Sequence, residues 1–120
     1  METITFEFIR KIQREERDSP QLTKLPENFF EKVSAYLEQK KKIGKEDRKA
    51  DLEIKNIERL IENIFDIRER KILNQAIITV RTRIPPQNMT EEERNFFEEI
   101  IRILKERREN FFENLKKEDK

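Results

Sequence analysis

The sequence predicts an all-α fold, a four-helix bundle-like domain with one long central third helix. The stretch 52–84 has no proline or glycine and repeats apolar residues at three- and four-residue spacing, which indicates a single helix. Prolines and capping residues delimit three further helical stretches. We expect no β-sheet in this chain.

Composition excludes several classes of function. The 120 residues include 27 basic and 26 acidic side chains, and this net charge of +1 is no footprint for duplex DNA or an anionic membrane. The absence of cysteine and histidine excludes disulfides, thiol chemistry and a histidine–metal site. One glycine cannot form a phosphate-binding loop, so we expect no cofactor. No run of ~18 apolar residues predicts a membrane span, so we expect a cytoplasmic protein. The 44% of charged residues suggests a thermophilic source.

The first helix is predicted to begin at Thr3 or Thr5 and to end near Arg17, before Pro20. Its inward positions are Ile4, Phe8, Ile9 and Ile12. We expect the charged run 15–17, including Glu16, to face solvent. Catalysis by acidic pairs such as Glu15 and Glu16 is therefore not expected.

The second helix is predicted to start with Pro26 at its first position, where the missing N–H of proline costs nothing. Its apolar residues are Phe29, Phe30, Val33, Tyr36 and Leu37. The single glycine, Gly44, is expected at its left-handed C-terminal cap.

The third helix would span roughly 50 Å at about 1.5 Å per residue. Its apolar face is displaced along its length, by more than a third of a turn at about 100° per residue. The first cluster is Ile57, Leu60, Ile61 and Ile64, and the second is Ile72, Leu73, Ala76, Ile77, Val80 and Ile84. Two interpretations fit. The helix is either surrounded by neighbours from its own chain, or it shares part of this surface with another subunit.

The last helix is predicted to follow Pro85–Pro86 and to open at Thr90, with Glu93 in capping-box spacing. Its apolar stripe is Phe97, Ile100, Ile101, Leu104, Phe111, Phe112 and Leu115. Arg107 and Arg108 interrupt this stripe. Their stems are expected to cover apolar surface while their heads reach water, and a partner carboxylate is the alternative.

A stand-alone helical nucleic-acid-binding module is the alternative function. The long helix carries the cations that such a surface needs: Arg68, Arg70, Lys71, Arg81 and Arg83. A single-stranded nucleic acid would also need exposed aromatic rings, whereas the phenylalanines here have core spacing. We therefore expect DNA to bind weakly if at all. An enzymatic function would require catalytic residues from a partner chain.

Two stretches, LTKLPENFFEKVSAYLEQ (22–39) and IERLIENIFDIRERKILNQAI (57–77), resemble the helical domain of an archaeal GINS subunit. The closer resemblance is to the subunit type whose helical domain precedes a small β-rich domain. The family's Leu-Pro and aromatic-rich second helix matches Leu25, Pro26, Phe29 and Phe30. Its basic stretch in the long helix matches Arg68, Arg70, Lys71 and Ile72. The proline break, the sequence Met89–Glu93 and a phenylalanine-rich last helix follow in the same order.

The resemblance implies a non-catalytic structural subunit. It implies assembly with itself or with a sister GINS subunit into a homo- or hetero-tetramer at the replication fork, together with the MCM helicase and a RecJ-like protein. Residues 1–120 are expected to form the helical domain, and the family's following β-rich domain is expected to be absent from this chain. The basic positions and the displaced apolar cluster of the long helix predict a partner-binding surface made of Arg68, Lys71, Ile72, Ile77, Val80, Arg81 and Ile84.

Overall fold

The computed structural model describes residues 3–43 and 47–118, which form four helices and no strand. These helices are α1 (Phe6–Asp18), α2 (Phe29–Ile43), α3 (Arg48–Thr82) and α4 (Glu91–Glu118). The all-α fold with a long third helix is thereby confirmed. Gly44, predicted to cap the second helix, lies outside the described residues.

The chain divides into two compact units, Met1–Arg68 and Glu69–Lys120. In the first unit, α1, α2 and the first half of α3 enclose a core of Ile9, Ile12, Leu25, Phe29, Val33, Ile57 and Ile64. Leu60 and Ile61 pack against this core and are half-buried. The first apolar cluster of the long helix therefore has the core role that its spacing predicted.

Three helices begin at side-chain caps. The Thr5 hydroxyl accepts a hydrogen bond from the backbone N–H of Phe8 at 3.1 Å. The Asp47 carboxylate accepts one from the N–H of Lys49 at 3.0 Å. At α4 the predicted capping box is confirmed: the N–H of Glu93 donates to the Thr90 hydroxyl at 3.2 Å, and the N–H of Thr90 donates to the Glu93 carboxylate at 2.9 Å.

The predicted start of the second helix was wrong by one turn. The helix begins at Phe29, not at Pro26. Asn28 has a left-handed backbone, with φ of 55°, so a helix cannot run through it from Pro26. The N–H of Phe29 instead donates to the Pro26 carbonyl at 3.1 Å in a tight turn.

The long helix ends at Thr82, two residues before the predicted end. Arg83 adopts a left-handed backbone, with φ of 66°, and its N–H donates to the Thr79 carbonyl at 2.6 Å. The Thr79 hydroxyl donates to the Ile84 carbonyl at 2.9 Å. Because Ile84 precedes Pro85, its backbone is biased away from the helical region. These bonds hold the chain as it leaves the helix.

Candidate subunit interface

The second half of α3 has two apolar sides. Ile72, Ala76 and Thr79 are buried, at spacings of four and three residues. Ile77 and Ile84 are 54% and 69% exposed. At about 100° per residue, Ile77 points about 140° away from Ile72. The displaced cluster looked continuous in the sequence. It therefore divides into residues on a buried side of α3, such as Ile72, and residues on an exposed side, such as Ile77.

The predicted partner-binding residues fall on both sides. Ile72 is buried, and Arg68 is also buried. Lys71 and Val80 are half-buried, while Arg81 is exposed like Ile77 and Ile84. We define the exposed α3 face as Leu73, Ile77 and Arg81 together with Ile84, which lies just beyond the end of the helix at Thr82. Sequence reasoning did not include Leu73 among the partner-binding residues, although it lies one helical turn before Ile77.

Arg68 is occupied within its own chain. Its side chain is 1% exposed, and its guanidinium Nη1 donates to Glu16 Oε1 at 2.6 Å and to the Thr23 carbonyl at 2.9 Å. The Glu16 side chain is 0% exposed and also accepts from the Thr23 hydroxyl at 2.6 Å and from the Thr23 N–H at 3.2 Å. This buried network ties α1, the connector after it and α3 together inside the first unit.

The expectation that Glu16 faces solvent was therefore wrong. Glu16 follows Ile9 and Ile12 at helical spacing, so it continues their inward stripe. Arg68 lies four residues after Ile64 and four before Ile72 on the inward side of α3. A glutamate and an arginine that each occupy a core position were the signal available in the sequence, since buried charges are normally paired.

The end of α4 differs from its predicted role as a core stripe. Phe97 is buried, but every residue from 105 to 117 is exposed. Phe111 and Phe112 are 56% and 49% exposed, so their core assignment was wrong for this chain on its own. Periodicity reports an apolar face but not whether the chain itself covers it. Arg108 places its guanidinium carbon 5.9 Å from the centre of the Phe112 ring.

A second polar cluster lies between α2 and α3 in the first unit. Lys40 Nζ donates to Glu53 at 2.5 Å, and the Tyr36 hydroxyl donates to the same carboxylate at 3.2 Å. The hydrogen bond to Glu53 raises the pKa of Lys40, against a smaller lowering by desolvation. These contacts join the two helices.

Within residues 3–43 and 47–118 there is no cluster of side chains suited to a metal ion. None of the helices in this part of the chain is long and apolar enough to cross a membrane. An open groove beside α1 is lined by charged and hydroxyl side chains, namely Lys11, Arg14, Glu15, Asp18, Ser19 and Thr23. Lys11 and Glu15 in it form an ion pair at 3.9 Å.

Comparison with protein families agrees with this architecture. The chain matches the model of the GINS complex protein helical bundle domain over residues 4–112, which is nearly its whole length. Neither the curated proteins nor the solved structures give a match. The resemblance noted on residues 22–39 and 57–77 is thereby confirmed at the level of the family. The chain belongs to the family of GINS complex helical bundle domains.

Proposed function

We propose that this chain is a non-catalytic structural subunit of a GINS complex that supports the replicative MCM helicase. The observation that carries the proposal is the exposed α3 face. A row of large apolar side chains on a helix is unfavourable in water and is typical of a surface that a partner covers. Family membership supplies the class of partner, another GINS helical domain.

The partner-binding surface is proposed to consist of the exposed α3 face with the half-buried Lys71 and Val80 at its edge. Arg68 and Ile72 support it from inside, since contacts within the chain already account for them. Arg81 gives the face a cationic group that favours a carboxylate on the partner.

The finer assignments rest on the resemblance. We propose an archaeal subunit that assembles with itself or with a sister GINS subunit and contacts the MCM helicase and a RecJ-like protein at the replication fork. The high density of charged residues supports a thermophilic source.

The test is a charge inserted into the exposed α3 face. Ile77→Asp should lower the affinity of the assembly at least about tenfold, because the carboxylate is desolvated only in the complex. The isolated chain should keep its helical content, since Ile77 is already exposed to water. Light-scattering mass, with and without a sister GINS subunit, and circular dichroism melts measure the two effects.

Two variants serve as controls. Ile43→Asp introduces the same charge at an isoleucine that is 88% exposed at the end of α2, and it should leave assembly unchanged. Ile64→Ala removes a fully buried side chain and should cost about 2–5 kcal/mol of stability. If Ile77→Asp unfolds the chain as severely as Ile64→Ala, this face is part of the core and the proposal is lost.

A further inference from the structure

The last half of α4 exposes its large apolar side chains in the part of the chain that the structure describes. Phe111, Phe112 and Leu115 are each about half exposed, and the residues around them are exposed on every side. A helix end that exposes three large apolar side chains is typical of a surface that is buried on association.

The charges on this stretch are arranged by side. Arg107 and Arg108 flank the exposed rings, and neither forms an ion pair with a described carboxylate. At about 100° per residue, Glu106 and Glu113 project from the opposite side of the helix. We call the surface made of Arg107, Arg108, Phe111, Phe112 and Leu115 the basic arm of α4.

The first half of α3 carries an exposed aromatic ring among charges of the opposite sign. Phe65 is 49% exposed, and the exposed carboxylates Glu58, Glu62 and Asp66 lie around it. None of the three forms an ion pair among the residues the structure describes, whereas the nearby Lys55 is already paired with Asp51 at 3.6 Å. We call the surface made of Glu58, Glu62, Phe65 and Asp66 the acidic face of α3.

We propose that the basic arm of α4 in one copy binds the acidic face of α3 in a second copy. Spacing supports the match. Arg108 precedes Phe111 by three residues, and Glu62 precedes Phe65 by three. Two helices lying side by side in the same direction would therefore bring the rings together and the opposite charges together at once. Each surface carries an exposed apolar ring, and the unpaired charges beside the rings have opposite signs on the two surfaces.

This pairing uses surfaces other than the exposed α3 face. It deepens the proposed function and rests on it, because it takes from it the premise that the chain acts in an assembly. It is heterologous, because the arm of one copy meets a different surface on the next. Such contacts close into a ring when the rotation permits. The pairing would therefore link successive copies head to tail.

The test is an exchange of charge. Arg107→Glu with Arg108→Glu, and separately Glu58→Lys with Glu62→Lys, should each weaken self-association of the full chain at least about tenfold at 0.1 M salt. An equimolar mixture of the two variants should associate again to within about threefold of the parent. Sedimentation velocity at micromolar concentrations measures all of these. Lys32→Glu with Lys41→Glu, an equal charge change at exposed positions of α2, should have no effect.

Three outcomes would overturn the proposal. They are a parent chain that stays monomeric, an arm variant that associates like the parent, and a mixture that fails to associate. Binding of a single-stranded oligonucleotide that is tight in the parent and lost in the arm variant would assign the arm to nucleic acid instead. The Ile77→Asp experiment with a sister subunit has a separate readout. If Ile77→Asp still weakens assembly with a sister subunit but the charge exchange fails, only the pairing of the basic arm of α4 with the acidic face of α3 is rejected.

Discussion

The pair of Glu16 and Arg68 shows how a buried charge is tolerated in this small core. Moving two charges out of water is costly, and their attraction offsets that cost only with good geometry and further hydrogen bonds. Both conditions hold here, since Thr23 donates twice to the Glu16 carboxylate and its carbonyl accepts from Arg68. The connector after α1 is thereby held by the pair of charges that it helps to bury.

Removing one member of this pair should destabilise the folded chain far more than replacing both. Arg68→Ala leaves the Glu16 carboxylate buried without its cation, so we expect a loss of about 3–5 kcal/mol. The double variant Glu16→Leu with Arg68→Met leaves no buried charge and should unfold at a denaturant concentration closer to that of the parent.

Urea denaturation of the three chains measures these differences. Arg17→Ala is the matched control, because Arg17 pairs with Asp18 at the surface and should contribute less than about 1 kcal/mol. Equal losses for Arg68→Ala and Arg17→Ala would contradict the importance of the network.

The pairing of Lys40 with Glu53 makes a prediction about alkaline pH. The folded chain raises the pKa of Lys40 above its usual 10.5, mainly through the hydrogen bond to Glu53. Its contribution to stability is therefore complete below pH 10.5 and is lost as the pH rises through the folded value. We expect the free energy of unfolding to fall more steeply above pH 10.5 in the parent than in Glu53→Gln.

Chemical denaturation between pH 8 and 12 makes this comparison. Parallel pH profiles for the parent and Glu53→Gln would show that the hydrogen bond adds nothing to the charged form of Lys40.

Helix boundaries were predictable where a side chain closes them. The Thr90 and Glu93 box was evident from spacing alone, and Thr5 was one of two candidates for the first cap. The start of α2 was not predictable in the same way. A proline followed by two further residues fits both a helix start and a turn, and the left-handed backbone of Asn28 decides between them.

The cap at Thr90 should be measurable in the stability of the fold. Thr90→Ala removes the hydroxyl that accepts from the Glu93 N–H, and a loss of about 1 kcal/mol is expected. Thr90→Ser keeps that oxygen and should stay near the parent. Thermal melts followed by circular dichroism distinguish the two variants, and identical melting of Thr90→Ala and the parent would argue against a stabilising role for the box.

Hydrophobic periodicity predicted the helices more reliably than it predicted what covers them. In α3 the pattern placed Ile64 in the core, where it is buried, but it grouped Ile72 and Ile77 in one cluster although Ile72 is buried and Ile77 is exposed. In α4 an unbroken stripe joined the buried Phe97 to the exposed Phe111. Core and interface use the same side chains at the same spacing, so only the positions of the other helices distinguish them.

For the whole molecule, the balance of charge still limits the functions available. The structure exposes Phe111 and Phe112 beside arginines, which is the combination that single-stranded nucleic acids prefer. The net charge of +1, however, means that the cations able to contact phosphates are almost balanced by carboxylates that repel them. The exposed rings and arginines therefore favour a single-stranded nucleic acid, whereas the small net charge attracts it only weakly and limits the affinity.

Nucleic-acid binding should consequently be weak and sensitive to salt. We expect dissociation constants no tighter than the non-specific range of roughly 10⁻⁴–10⁻⁶ M at physiological salt. Fluorescence anisotropy with single- and double-stranded oligonucleotides measures them, with Arg107→Glu and Arg108→Glu together as the matched variant. Nanomolar binding by the parent would favour the alternative of a nucleic-acid-binding module.

The buried network also constrains how this sequence can evolve. Glu16 and Arg68 lie 52 positions apart in the sequence. A substitution at either position alone nevertheless produces a chain with an uncompensated buried charge. That intermediate costs about 3–5 kcal/mol of the 5–15 kcal/mol that keep a typical domain folded. Related sequences are therefore expected to retain both charges or to have replaced both. The two positions should be inherited as a unit, although no local motif connects them.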